Sequence, residues 1–214
     1  MSDVDSSVDE SSVNHDSAAE HPRPPRREFK ARGSFVTRCD NCQLPVLNCL
    51  CPYQVKAESH AQVWLLTHPL EHYKPTNTGR LIGDVITTTQ VFTWYRTAPD
   101  AQLAALLKDP LYAPFVILPV LPLRTERETR YRLRKPASKS HLCTAEVAIE
   151  LLRQGGDTVA AGVLDDYFEV FNDSYAASRL HHKIDPPTAA MRRLAAKQST
   201  GDSESGHPGA HRGA

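Results

Sequence analysis

Four cysteines within thirteen positions place the strongest constraint on how this chain folds. The segment RCDNCQLPVLNCLC contains the pairs Cys39-x2-Cys42 and Cys49-x-Cys51, and the fifth cysteine lies far along the chain. Four thiolates at this spacing can surround one tetrahedral metal ion, with a single turn between the two pairs. We therefore predict that all four bind a structural metal, with zinc as the first choice, in a knuckle over residues 38–52.

Two other interpretations of the cysteine cluster stay open. Four cysteine ligands also suit an iron–sulfur cluster, and the cysteines can remain free thiols in a loop, although free thiols are readily oxidised. Disulfide bonds are disfavoured, because the first 20 residues contain no apolar stretch of a secretory signal and a cytoplasmic, reducing compartment is expected. A catalytic metal is also disfavoured, since four protein thiolates leave no open coordination position.

The charge of the chain is balanced overall but unevenly distributed. The 214 residues include 25 Lys and Arg against 25 Asp and Glu. The first 20 residues carry six acids and no Lys or Arg, whereas residues 21–38 and the run RTERETRYRLRKPASK at 124–139 are basic. Local basic segments are typical of proteins that bind nucleic acid, because Lys and Arg neutralise phosphates. A solvated surface run is the alternative.

Composition divides the chain into a central foldable region and two polar tails. Residues 1–28 and 183–214 are rich in Ser, Gly, Pro, Ala and charged residues. We expect both tails to be disordered, because they offer too little apolar surface to offset the entropy of ordering. The domain is expected over residues 29–182. No stretch approaches the roughly 20 apolar residues that span a bilayer, so no membrane insertion is expected.

Strand and helix signals alternate along the central region. The predicted elements, in order, are a strand in 60–68, a helix that opens at Thr76 or Asn77, a strand in 90–95, a helix in 101–109, a strand in 115–120, a helix in 143–154 that stops at Gly155-Gly156, and a helix in 159–175. This order predicts an α/β fold with a parallel sheet. Ligands are then expected in the loops at the carboxyl ends of the strands.

One of these loops carries polar residues at a helix start. Asn77, Thr78, Gly79 and Arg80 can bind a carboxylate or a phosphate through backbone N–H groups and the guanidinium fork of the arginine. The alternative is that the asparagine and the threonine only cap the helix.

Four motifs, taken in order, resemble the DTW-domain family of tRNA-uridine aminocarboxypropyltransferases. They are R-C-x2-C-x6-C-x-C from Arg38, T-H-P-L-E-H-Y-K-P-T-N-T-G-R-L ending at Leu81, Y-R-L-R at 131–134, and C-T-A-E-V-A-I from Cys143. The similarity runs from about Arg38 to about His182. The resemblance implies a SPOUT-like Rossmannoid α/β fold, S-adenosylmethionine as co-substrate and tRNA as partner. It also implies transfer of the 3-amino-3-carboxypropyl group to N3 of a uridine, with release of 5′-methylthioadenosine.

The resemblance and the residue chemistry together add five candidates to the loop at 77–80. Tyr131 and Thr144 lie in the matching motifs and are expected in the substrate or cofactor site. Arg132 and Arg134 share one face of an extended chain, so they can meet tRNA phosphates or form a solvated strand edge. Glu146, in the first turn of its helix, is the nearest candidate for a catalytic base, and capping is its alternative role.

The signature block of the family has no counterpart where the resemblance predicts it. An Asp-x-Thr-Trp block should lie between Leu118 and Tyr131, but the chain runs directly through VLPLRTERETRYRLRK. The only Thr-Trp pair is Thr93-Trp94, which has Val91 at the position of the aspartate. Two alternatives to an active transferase therefore stay open: a catalytically impaired family member, or a four-cysteine zinc protein that binds tRNA or a protein partner.

Overall fold

The chain is described by a computed structural model over residues 36–72, 74–114, 127–133, 138 and 140–204, with side chains as far as 199. Within these residues it is a mixed α/β protein with a cysteine loop, a two-stranded parallel sheet and five α-helices. None of the helices in the described residues is long and apolar enough to cross a bilayer.

A strand–helix–strand unit forms the β part of the described structure. Strand β1 (Val63–Thr67) leads through a loop into helix α1 (Gly79–Val85), and strand β2 (Thr89–Thr93) follows. The two strands pair in parallel, with Leu65 opposite Val91. The predicted strands and their parallel arrangement are confirmed here. The strand predicted over 115–120 lies outside the described residues.

The helical core is built around the longest helix. Helix α2 (Ala101–Leu106) ends sooner than predicted, α3 (Thr144–Gln154) stops at Gly155 as predicted, and α4 (Thr158–Arg179) follows after one short turn. Gly156 in that turn has a φ of 90°, a left-handed conformation that favours glycine. Helix α4 packs against α1 and α3. Its fully buried aromatic residues are Tyr167, Phe168 and Phe171.

The expectation of disorder over 183–214 is wrong for a large part of that segment. Residues Ala189–Glu204 form helix α5, which packs against α4. Ala190, Met191 and Leu194 are buried against the core. The Thr188 hydroxyl accepts a hydrogen bond from the Met191 amide at 3.3 Å and so caps the helix. These three buried side chains attach the helix to the core, although the average composition of the segment is polar. Residues 205–214 and the N-terminal segment 1–35 lie outside the described part.

Candidate functional site

The four clustered cysteines are brought together by a tight backbone turn. The Cys39 amide donates to the Leu44 carbonyl at 2.9 Å, and Gln43 between them has a φ of 58°. All four Sγ atoms lie within 4.8 Å of one another. The distance is 3.6 Å between the Sγ atoms of Cys39 and Cys51 and 3.7 Å between those of Cys42 and Cys49.

This arrangement fits a tetrahedral zinc ion. Four sulfurs at a Zn–S distance of about 2.3 Å are separated by about 3.8 Å, close to the separations of 3.6 Å and 3.7 Å in the two pairs above. The Leu50 amide lies 3.5 Å from the Cys42 sulfur and donates to it, as amides do around metal thiolates. The predicted site is therefore confirmed as a cluster that can hold a metal such as zinc.

The clustered cysteines differ in how readily their thiols lose a proton. The backbone amides of Cys42 and Asn41 lower the pKa of Cys39 to about 7. Burial instead raises the pKa of Cys49 and of Cys51 above the ordinary value for a thiol. Four thiolates therefore need a positive ion to coexist in this loop. Because all four ligands come from the protein, the ion would be structural.

A second cluster forms where three separate segments meet, and it contains five of the predicted site residues. A Cβ added to Gly79 would lie 3.8 Å from the Thr144 methyl, so the starts of α1 and α3 are adjacent. The Asn77 Oδ1 accepts from the Gly79 amide at 2.9 Å, and its Nδ2 donates to the Glu71 carbonyl at 3.0 Å. Thr78 is buried beside them. Asn77 therefore shapes the turn, and α1 begins at Gly79.

Tyr131 joins the third segment to this cluster. Its hydroxyl donates to the Thr76 carbonyl at 2.9 Å, and its ring stacks on the Phe168 ring with the two centroids 6.4 Å apart. The structure thus gathers Asn77, Thr78, Gly79, Tyr131 and Thr144.

Glu146 is held in place by three donors. Its carboxylate accepts from the Cys143 amide at 2.9 Å, from the Thr129 hydroxyl at 2.6 Å and from the Arg130 amide at 2.5 Å. The first of these is one half of a capping box at the start of α3. The geometry supports the capping alternative and adds a second task, since the same carboxylate fastens the 129–131 segment to the helix. Its role as a base stays a prediction.

Cys143 is close to the cluster but is not an activated thiol. Burial raises its pKa to about 12, although a hydrogen bond with the Thr78 hydroxyl acts in the opposite direction. The thiol is therefore neutral at physiological pH and unsuited to nucleophilic attack.

Arg80 has an unusual environment. Its three guanidinium nitrogens are buried and have no hydrogen-bond partner in the described part of the chain. One turn later, burial raises the pKa of Asp84, while the Arg80 charge and a hydrogen bond from Tyr167 lower it. The Tyr167 hydroxyl donates to Asp84 at 3.3 Å. Asp84 is thus a charged neighbour of Arg80, but the guanidinium has no hydrogen bond to it or to any other described residue. Because unpaired buried donors are costly, Arg80 can gain from an anionic ligand that accepts hydrogen bonds from it.

Arginines of the second basic run pair with acids of the same chain. Arg130 forms an ion pair with Asp165 of α4, and Arg153 reaches the same carboxylate at 2.5 Å. Arg127 lies 3.7 Å from the Glu150 carboxylate. These pairs tie the 127–133 segment to α3 and α4, so charge counting overstated the positive charge available to a polyanion.

Of the two arginines predicted to contact phosphates, the structure describes only Arg132. Arg132 lies 3.6 Å from the Asp173 carboxylate while its side chain is 69% exposed, so it has a partner and still faces solvent. Arg134 lies outside the described residues.

Sequence reasoning missed one polar cluster altogether. Asp157, buried before the start of α4, accepts from the Ser59 hydroxyl at 2.7 Å and from the His60 amide at 3.1 Å. It also forms an ion pair with the His60 ring. Partners almost a hundred residues apart have no shared local pattern. The only available signal was the aspartate preceding the α4 threonine, which resembles a helix cap.

A family model described as the DTW domain matches residues 36–122 and 117–176. These ranges cover well over half of the chain and include the cysteine loop and the three segments that meet around Gly79. The chain belongs to the DTW-domain family. No solved structure matches it.

The DTW-domain match comes in two pieces that overlap in residues 117–122. The overlap falls where the sequence places the missing Asp-x-Thr-Trp block. The family is consistent with a tRNA-modifying role, and the sequence features of a DTW domain are present on both sides of the junction.

Proposed function

We propose that this chain transfers the 3-amino-3-carboxypropyl group of S-adenosylmethionine to N3 of a tRNA uridine. The observation that carries the proposal is the DTW-domain match, whose segments around 77–80, 131 and 143–146 meet in one place. In this proposal the described sheet is part of a SPOUT-like fold, and the protein acts on tRNA in the cytoplasm.

The reaction forms one bond and breaks one bond. The uridine N3 attacks the methionine Cγ, and the Cγ–S bond breaks so that its electron pair neutralises the sulfonium as 5′-methylthioadenosine leaves. The proton of N3 passes to a base or to water. Because the sulfonium is already a good leaving group, the main task of the protein is to hold the two reactants in line.

The clustered residues fit that positioning task. Asn77, Thr78 and Gly79 form a turn fixed by side-chain hydrogen bonds, and Thr144 and Tyr131 border it. Arg80 is the proposed partner of the substrate carboxylate, because its buried guanidinium has no hydrogen-bond partner in the described residues. We infer that Arg132 and Arg134 contact tRNA phosphates. Arg132 lies near the Asp173 carboxylate, but its side chain is still largely exposed.

Glu146 and the cysteines support the site. Because the Glu146 carboxylate already accepts three hydrogen bonds, it is better suited to hold the 129–131 segment than to move the N3 proton. Cys39, Cys42, Cys49 and Cys51 would hold a zinc ion, which supplies a structural cross-link and takes no part in the transfer.

The test compares S-adenosylmethionine with 5′-methylthioadenosine, which lacks the 3-amino-3-carboxypropyl group and therefore the carboxylate. The purified chain is incubated with S-adenosylmethionine and unmodified tRNA, and aminocarboxypropyl-uridine is sought by mass spectrometry of the nucleosides. Product is expected. Arg80→Met should weaken binding of S-adenosylmethionine but leave 5′-methylthioadenosine unaffected, while Arg96→Met, a change at an exposed arginine, should alter neither. Equal losses for both ligands would contradict the assignment of Arg80.

A second candidate is a catalytically impaired family member that still binds tRNA. The observation that favours it is the missing Asp-x-Thr-Trp block at the junction of the two matched ranges. No product from the wild-type chain, together with tRNA binding and with activity regained after a DTW block from a relative is inserted at the junction, would favour this candidate.

A further inference from the structure

A pocket of about 180 Å³ lies beside the cysteine loop, on residues that the proposed transfer does not use. One wall is the 46–53 segment that carries two of the zinc-ligand candidates, and the other comprises Lys183, Ile184 and Met191, with Ser174 of α4 between them. An apolar cavity of about 150 Å³ holds one benzene ring. The pocket therefore has room for one ring-sized group.

The two walls are fixed to each other by one buried side chain. The Asn48 Nδ2 donates to the His182 carbonyl at 2.9 Å and to the Ser178 hydroxyl at 3.1 Å. Its Oδ1 accepts from the Ile184 amide at 3.2 Å. Cys49 follows Asn48 directly, so a metal bound by the cysteines would hold the same wall. The pocket is thus preformed.

The lining has the chemistry of a site for a flat group with a polar edge. Val46 and Leu47 are 54% and 51% exposed, which is high for adjacent apolar residues, and Tyr53 adds an aromatic ring. Ser174 is fully buried, and its hydroxyl has no hydrogen-bond partner among the described residues. A buried hydroxyl without a partner is costly, and a ligand that bonds to it recovers that cost.

The rim of the pocket carries positive charge. Lys183 lines it, and the sequence Arg179-Leu180-His181-His182-Lys183 leads into it from the end of α4. Flat rings with polar edges, each linked to a phosphate, are the units of single-stranded RNA. Proteins recognise such RNA by taking unstacked bases against aromatic and apolar side chains, with cations at the phosphates.

We propose that this pocket binds one unstacked base of the RNA partner, with Ser174 at the base edge and Lys183 at the adjoining phosphate. The inference rests on the proposed function in that the RNA is the tRNA substrate. It gives the cysteine centre a task, which is to hold one wall of an RNA-binding pocket.

The test measures tRNA affinity of the zinc-loaded full chain by fluorescence anisotropy over a range of salt concentrations. Ser174→Ala should weaken binding by about tenfold, the scale of one lost hydrogen bond, and should slightly raise the melting temperature, because it removes a buried hydroxyl that has no partner among the described residues. Lys183→Met should reduce the slope of log K against log salt by about one. Lys108→Met, at an exposed lysine outside the pocket, is the matched control and should keep the wild-type slope.

Photocrosslinking of tRNA that contains 4-thiouridine supplies an independent measurement, and the crosslinked peptides should include 46–53. Wild-type affinities in both pocket variants, with no crosslink there, would overturn the proposal and leave the pocket to a protein ligand. If product still forms in that case, the transferase function stands without this pocket. If no product forms but the two variants weaken binding, the transferase function fails and the RNA pocket stands.

Discussion

Gly79 lies where two helix starts approach each other, so the smallest possible change there tests the proposed site. A methyl group at this position would lie 3.2 Å from the Asn77 Oδ1, the atom that accepts from the Gly79 amide. Gly79→Ala should therefore displace the Asn77 side chain by a few tenths of an ångström. Because catalysis depends on alignment, we expect a roughly tenfold lower rate of transfer, measured as modified uridine per minute.

The control for that change is Gly162→Ala in the middle of α4. A methyl group there would meet no atom within 4 Å outside its chain neighbours and the backbone of its own helix. Alanine costs less backbone entropy than glycine in a helix, so Gly162→Ala should stabilise the protein by about 0.5–1 kcal/mol without changing the rate. An unaltered rate in Gly79→Ala would show that the turn at 77–79 is not part of the reacting site.

Asp157 links the segment before β1 to the start of α4, and its contribution to stability depends on pH. Hydrogen bonds from Ser59 and His60 lower the pKa of Asp157 from 3.8 to about 2, so its stabilisation is present above pH 3.8 and is lost as the pH falls toward 2. The same pair raises the pKa of His60 above 6.5, so that contribution is present below pH 6.5 and is lost as the pH rises through the raised value. The pair is therefore strongest between these limits.

The substitution Asp157→Asn should lower the free energy of unfolding most in the pH range where both Asp157 and His60 are charged. We expect the variant to be less stable by about 1 kcal/mol near pH 5, below the roughly 1.5–3 kcal/mol usual for hydrogen bonds to a charged group, because the His60 side chain is 96% exposed. The difference should shrink toward pH 2 and partly shrink above pH 7. Urea unfolding at each pH measures it, and a difference that does not vary with pH would contradict the ion pair.

At the scale of elements, helix α5 tests whether a polar-looking segment belongs to the core. Leu194 is 0% exposed, whereas Leu180 at the end of α4 is 70% exposed. Leu194→Ala should cost about 2–5 kcal/mol because it leaves a cavity, and Leu180→Ala should cost far less. Equal unfolding free energies for the two variants would mean that residues 189–204 do not pack on the core, as the composition of the segment predicts.

Some of the secondary-structure elements could be predicted from the sequence, and others could not. Helix α4 was predictable because its apolar residues recur at the helical period, β1 because it is a short apolar run bounded by polar residues, and the end of α3 because two glycines follow it. Helix α5 was not, since only a few of its residues face the core and Ser, Gly and charge dominate the rest of the segment. The pairing of Arg130 with Asp165 was also hidden, because tertiary structure alone decides which acid lies near which base.

The cysteine loop was predictable in ligands and spacing, and its contribution to stability can be measured. We expect one zinc ion per chain by elemental analysis. Zinc at about a thousand times its dissociation constant would stabilise the folded protein by about 4 kcal/mol, so a chelator should lower the melting temperature. Cys51→Ser should abolish stoichiometric zinc, while Cys143→Ser, outside the cluster, should retain it. Iron in place of zinc would favour the iron–sulfur alternative.

At the scale of the whole molecule, the missing block affects more than the site. The sheet in the described residues has only two strands, and isolated two-stranded sheets are marginal without further packing. Leu66 of β1 and Val91 of β2 are 52% and 53% exposed. Strands with exposed apolar residues tend to associate with other chains. A family domain without this block is therefore expected to keep its helical core and to be less soluble at its sheet.

That expectation predicts self-association that depends on the sheet. Sedimentation velocity should show the weight-average mass of the wild-type chain rising with protein concentration, and more steeply at high sulfate, which strengthens apolar contacts. The double variant Leu66→Thr, Val91→Thr should stay closer to a monomer, because threonine keeps strand propensity while reducing apolar surface. Leu111→Thr, at a leucine 85% exposed outside the sheet, is the control and should associate like wild type. A monomeric wild-type chain at every concentration would mean that the sheet is adequately covered and that the shortened domain is a complete folding unit.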